Sequence, residues 1–219
     1  MRIATWNIER LKHHRELSQI VEACNEAQAD ILILTETDTR VQPSHLHGFQ
    51  TPMLYEIQPL YYKPTENRVS IFTRYPLVRQ HPTYDKYTSL CVELETEKGS
   101  LLVYGTIMGI FGNRNKNFKE DLPRQIEDFK RLAAGGQNLC IAGDFNLSFS
   151  DNYYFTTEGR ASILDCFSQI GVRILTAKME WCIDHIALSE QFSDSDDIRI
   201  SEWNLDKRLS DHKGIVVDF

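Results

Sequence analysis

Residues 138–146 read NLCIAGDFN. Leu139, Cys140, Ile141 and Ala142 form a continuous apolar run, which predicts a short strand covered on both faces. Gly143, Asp144 and Asn146 then end it, and all three are residue types that turns favour. The same layout, an apolar run released onto a polar side chain, occurs twice near the N-terminus. RIATW (2–6) leads to Asn7, and DILILTE (30–36) ends on Glu36. Between them Leu17, Ile20, Val21, Cys24 and Ala27 recur at helical spacing, so residues 14–28 are expected to form an amphipathic helix.

Further along, NRVSIFTRYPL holds a strand stopped near Pro76. SLCVELETEKGSLLVYGTIMG (89–109) reads as a hairpin. Leu90, Val92 and Leu94 alternate on one arm and Leu101, Val103, Gly105 and Ile107 on the other. Leu122, Ile126, Phe129 and Ala133 mark a second amphipathic helix, and a third is expected over about 160–170. WCIDHIAL, IRISEW and GIVVDF are three more strand-like runs. Strands with interleaved helices predict an α/β sandwich of two packed sheets with helices outside.

The chain has 219 residues, 42% hydrophobic, enough for one sizeable core, and 1–219 is read as a single domain. Its net charge of −7 argues against holding nucleic acid through bulk charge, although a local basic rim could still bind phosphate. Cys24, Cys91, Cys140, Cys166 and Cys182 are odd in number and lack C-x-x-C spacing, which favours reduced, buried thiols. A strand-like start argues against a signal peptide, and no apolar run is long enough for a membrane span. A cytoplasmic monomer is therefore expected.

If the polar-ended strands run parallel, Asn7, Glu36, Asp144 and Asn146 emerge at one end of a sheet, where open α/β sheets bind ligands. Asp211 and His212, in SDHKG, precede the last strand and reach that end if it runs antiparallel. Asp184 falls inside a strand, where a buried carboxylate needs a partner, and a histidine would serve. Singly, each has an ordinary reading as a turn or capping residue. Together they supply hard oxygen ligands, an amide and an Asp–His pair.

TWNIE, DILILTE, IAGDFN, WCIDHI and SDHKG resemble, in order and spacing, the signature segments of the endonuclease/exonuclease/phosphatase superfamily. The resemblance spans nearly the whole chain. It implies a four-layered α/β/β/α sandwich and metal-dependent hydrolysis of a phosphoester, nucleic acid being one such substrate. By that resemblance Glu36 is the main Mg²⁺ or Mn²⁺ ligand, with Asn7 beside it, and Glu9 and Asp211 are supporting acids. Asp144 would orient or deprotonate the attacking water, with Asn146 in support. His212 would contact the phosphate, oriented and charged by Asp184.

The family usually places a His or Tyr at the end of the strand LLVYGTIMG, and the pattern puts Thr106 there. That departure argues against the abasic-site endonuclease branch and leaves a second reading, a catalytically weak phosphate- or nucleic-acid-binding module. Arg114, Lys116 and Lys119, in the segment 111–119, are candidates for a basic rim, as is RLKHHR (10–15). Trp181 is either an apolar wall of the pocket or a core residue. The acidic run SDSDD (193–197) reads as a solvated turn.

Overall fold

The computed structural model describes residues 1–110, 112–193 and 197–219. Three residues of the acidic run, 194–196, lie outside the described residues. Twelve strands are described: β1 Arg2–Asn7, β2 Ile31–Asp38, β3 His47–Gln50, β4 Glu66–Thr73, β5 Leu77–His81, β6 Ser89–Thr96, β7 Gly99–Ile107, β8 Asn138–Asp144, β9 Val172–Ile174, β10 Asp184–Ser189, β11 Arg199–Trp203 and β12 Gly214–Asp218. The helices are α1 Leu17–Glu26, α2 Lys116–Ala133 and α3 Thr157–Gln169. Asn115 caps α2 by accepting from the Asn117 amide, and Thr156 caps α3 by accepting from Gly159.

The strands form two six-stranded sheets, ordered β11-β12-β1-β2-β4-β3 and β5-β6-β7-β8-β10-β9. β1 and β2 are parallel, as are β7 and β8, while β12 runs antiparallel to β1. Strand alternation then builds the layers. Ile3, Ile33, Ile71, Val103, Ile186 and Ile215 are buried in the cluster between the sheets. Ala4, Trp6, Leu32 and Leu34 pack with Ile20 and Cys24 of α1 on the outer face of the first sheet. Leu102, Tyr104, Leu139 and Ile141 pack with Phe118 and Phe129 of α2 and Phe167 of α3 outside the second. Each buried aliphatic side chain contributes about 1.5–3 kcal/mol by leaving water. The result is the expected four-layered α/β/β/α sandwich.

One expectation needs correction. The four polar residues do not leave one sheet. Asn7 and Glu36 leave β1 and β2 of the first sheet, whereas Asp144 and Asn146 leave β8 of the second. The sheets are stacked so that both sets face each other across the interlayer.

The pairing of β8 with β7, which sets the position of Asp144, depends on close approach at the end of β8. Gly143 has φ +134°, and an added Cβ would sit 2.0 Å from the Thr106 carbonyl oxygen of β7. Gly143→Ala is therefore expected to cost at least about 3 kcal/mol, a fall in Tm of roughly 6–12 °C for a chain of this size. Thermal unfolding measures it directly. A Tm within 2 °C of wild type would show that the backbone relaxes at no cost.

Candidate active site

The ends of β1, β2, β8 and β10 and the segment before β12 surround a polar cleft made of two adjoining cavities of about 260 and 230 Å³. Asn146, Tyr154, Asp211 and His212 line both. A larger groove of about 370 Å³ lies between α2 and α3, but its floor of Phe118, Leu122 and Ile126 offers nothing to act on a polar substrate.

Asn7 ties the two sheets together. Its amide Nδ2 donates to Asp144 Oδ2 at 3.2 Å, and its Oδ1 accepts from the Glu9 amide at 2.9 Å. The other Asp144 oxygen accepts from the Asn146 amide at 2.8 Å. Asn146 donates in turn to the carbonyls of Met108 and Gly109, which locks the turn after β8 onto the end of β7. Burial pushes the Asp144 carboxyl up to about 7, reinforced by the nearby Asp184 charge and opposed by His212.

His212 and Asp184 meet across the sheets, with Nδ1 2.5 Å from Asp184 Oδ2. The other Asp184 oxygen is buried and has no hydrogen-bond partner among the described residues, so the histidine is the side chain that satisfies this carboxylate. Burial disfavours the charge on His212, but Asp184 prevails and holds the ring up at about 10. The loop that presents His212 is pinned on three sides. Ser210 Oγ donates to the Asn7 carbonyl at 2.6 Å, Trp6 Nε1 donates to the His212 carbonyl at 3.0 Å, and Asn204 Nδ2 donates to the carbonyls of Ser210 and His212. The serine and histidine of SDH are thus held by backbone contacts, while the Asp211 side chain stays exposed beside His212 Nε2 at 3.7 Å.

Glu36 enters from the opposite wall. Its carboxylate is 3.7 Å from the Arg68 guanidinium, and among the described residues no donor hydrogen-bonds to it. Burial raises its pKa, offset by Arg68, Arg10 and His212. Its φ of +45° is strained for a glutamate; Glu9 (+48°), Asn146 (+51°) and Trp181 (+54°) share that region. Each such residue costs on the order of 1–3 kcal/mol, and strain of this kind concentrates where function requires it. Among the described residues no three His, Cys, Asp or Glu side chains converge as a metal cage. One desolvated carboxylate beside an amide, facing open space, suits a magnesium-like ion, which keeps most of its shell for water and substrate oxygens.

A sequence profile described as the Endonuclease/Exonuclease/phosphatase family matches residues 4–212. The chain belongs to the endonuclease/exonuclease/phosphatase family. It is a metal-dependent phosphoester hydrolase. Solved structures share its fold. A 3′-5′ exonuclease from Neisseria meningitidis is 17% identical, with a TM-score of 0.70, covering 100% of this chain and 99% of its own. The AP endonuclease of Leishmania major is 14% identical, with a TM-score of 0.71, covering 99% and 86%. The endonuclease domain of TRAS1, a telomere-specific non-LTR retrotransposon, is 17% identical, with a TM-score of 0.68, covering 99% and 96%. A search of curated proteins gives no significant match. Among the described residues no helix is long and apolar enough to cross a membrane.

Within this hydrolase, the cleft gathers Asn7, Glu9, Glu36, Asp144, Asn146, Asp184, Asp211 and His212. Asp184 is the first residue of β10 rather than an interior one, which places it at the cleft. Two expectations change, and the two readings of Trp181 are separated. Thr106 is fully buried on the helix-facing side of β7, and its hydroxyl donates to Gln125 Oε1 at 2.8 Å. Alternation turns the next residue, Ile107, into the cleft instead. Lys116 and Lys119 lie on α2, not in a loop, and Lys116 pairs with Glu120 at 3.2 Å. Arg114 is exposed in the turn before α2, and of that segment only Gly112 lines the catalytic cavities among the described residues. Trp181 is not a core residue: it is 68% exposed, lines the cleft and packs on Tyr153 with centroids 5.0 Å apart.

The sequence reading missed several residues. Lys207 and Lys213 line the cleft beside His212. Arg68 is a buried cation of β4, directly before its apolar residues Val69, Ile71 and Phe72, and was a detectable signal, because a buried charge demands a partner. His185 is the fourth. It is fully buried, its Nε2 meets the Leu147 carbonyl at 2.8 Å and its Nδ1 meets Thr176 Oγ1 at 2.8 Å. A carbonyl only accepts, so Nε2 carries the proton and the Thr176 hydroxyl donates to Nδ1. The neutral ring thereby braces the segment after Asn146.

Burial lowers the His185 pKa to about 4, against the hydrogen bond to Leu147. The unfolded chain therefore binds the extra proton first as pH falls. The stabilisation is complete above the ordinary histidine value and is lost on descending toward pH 4, an amount of about 3 kcal/mol. His185→Gln is expected to flatten the pH dependence of unfolding over that window relative to wild type. Parallel stability curves for the two proteins from pH 7 to 4 would exclude the effect.

Proposed function

We propose that this protein hydrolyses phosphodiesters with Mg²⁺ or Mn²⁺, and that its substrates include nucleic acid. The observation that carries the reading is the convergence, from two sheets, of the Asp184–His212 pair, Asp144 and the donor-free Glu36 on one cleft. The similar exonuclease and AP endonuclease structures support a nucleic-acid substrate.

Glu36 with Asn7 would hold the divalent ion, and Glu9 and Asp211 flank that position. The bound ion supplies positive charge to the phosphate oxygens. His212, kept cationic by Asp184, brings a second positive charge and a hydrogen-bond donor from the other wall. Asp144, fixed by Asn7 and the Asn146 amide, aligns water for in-line attack and takes its proton as the new P–O bond forms. The bond to the leaving oxygen breaks on the far side, and no covalent intermediate is required.

Turnover of bis(p-nitrophenyl) phosphate and of a DNA oligonucleotide tests this with Mg²⁺, with Mn²⁺ and after metal stripping. Activity on both diesters with either ion, lost in chelator and restored by the ion, is expected. Full turnover in the stripped protein, or activity confined to phosphomonoesters, would overturn the reading.

A further inference from the structure

The connection between β3 and β4 carries the most exposed apolar side chains of the described residues. Leu60 is 93% exposed and Tyr61 77%, with Tyr55 and Ile57 beside them. A soluble surface rarely groups such residues without a use. The segment lies at the cleft end of the sandwich, because it leads into the start of β4, which pairs with the Glu36 end of β2. It is also fixed there. Tyr87, just before β6 of the second sheet, has its hydroxyl 3.2 Å from Glu56 Oε2. Tyr62 is held between two guanidinium groups, Arg68 at 5.2 Å and Arg10 at 5.4 Å from its ring centroid. Arg68 also donates to the Tyr62 hydroxyl at 2.6 Å and reaches Glu36 at 3.7 Å. A short path of contacts thus runs from the cleft carboxylate through Arg68 to the half-buried Tyr62 ring, against which Arg10 also packs and which directly follows the exposed Tyr61.

We propose that residues 55–62 form a flanking-nucleotide subsite. Arg10 attracts the phosphate next to the scissile one, and Tyr61 with Leu60 stacks against its unpaired base. The ligand is a single-stranded or frayed polynucleotide. The cations Arg68 and Arg10, beside the apolar tip and near the cleft carboxylate, favour a phosphate-bearing chain over an uncharged lipid surface. Stacking on an aromatic ring is tolerant of sequence, so the subsite extends the contact without selecting a base.

This inference rests on the phosphodiesterase reading and is tested separately from it. The variant Leu60→Ala/Tyr61→Ala is compared with wild type on a fluorescein-labelled single-stranded DNA oligonucleotide and on bis(p-nitrophenyl) phosphate. The small diester has no flanking nucleotide. Its turnover is expected to stay within twofold, while kcat/KM for the oligonucleotide falls roughly five- to a hundredfold. Equal kinetics on the oligonucleotide, or equal losses on both substrates, would overturn the subsite and leave the phosphodiesterase reading standing. Wild-type activity on the small diester with none on any oligonucleotide would overturn both the subsite and the nucleic-acid substrate. Sedimentation with phosphatidylcholine–phosphatidylserine vesicles, lost in the variant while oligonucleotide kinetics are unchanged, would reassign the loop to a membrane.

Discussion

His212→Ala is expected to lower kcat by roughly 10²–10⁴-fold, and Asp184→Asn to do the same within an order of magnitude. The double variant should be little worse than the poorer single. Asp184 spends one oxygen on His212 Nδ1, and among the described residues the other has no hydrogen-bond partner, so its hydrogen-bonding influence on the cleft passes through the ring. Residues that act as a unit lose their effect together, and the double-mutant cycle then shows a large coupling. The structure also warns of a confounding loss. Removing the imidazole strands a buried carboxylate, which can cost 3–5 kcal/mol of stability for a broken buried pair. Rates must therefore be compared at equal folded fraction, and His212→Gln offers a variant that can still donate toward Asp184. Two folded single variants whose losses multiply fully in the double would mean that the pair does not act as one.

The sequence made the sandwich legible because its central strands are uniform apolar runs, and the two hairpin arms alternate cleanly. β3, β5 and β9 escaped notice for a physical reason. HGFQ and LVRQH are exposed edge strands with little apolar patterning, and VRI is three residues long. Their partners specify them, not their own composition. At the site, residues at the ends of predicted strands were found, because a polar side chain stands out where an apolar run stops. Thr106 was misassigned because one residue of register reverses the facing, and the end of a strand is where register is hardest to read. Lys207, Lys213 and His185 gave no such boundary signal. Lys207 and Lys213 come to the cleft only through the folded path of the segment before β12, and His185 acts from beneath the turn it braces. The sheet assignment of Asp144 was also not visible, since two parallel-looking strands can belong to one sheet or to two stacked ones.

Glu36→Gln is expected to abolish divalent-dependent turnover and, independently of activity, the binding of the ion. Gln keeps the shape and an acceptor oxygen but removes the charge. The native carboxylate holds that charge against burial and a strained φ, with only a long contact to Arg68 in return. A surface role would not need this arrangement, and a purely structural pairing with Arg68 would bring the two groups into hydrogen-bond range. The remaining explanation is that the charge serves a cation. Thermal unfolding with and without metal separates the possibilities. At an Mn²⁺ concentration a hundredfold above Kd, wild type should gain about 2.7 kcal/mol, equivalent to roughly 5–10 °C in Tm for a chain of this size. The Gln variant should gain little, while its Tm in chelator stays close to wild type. If instead the variant keeps the full metal-induced shift, the ion binds elsewhere, and Glu36 must be read as the counter-charge of Arg68. Asn7 and Asp144, which hydrogen-bond to each other across the sheets, would then be the next residues to test for the ion.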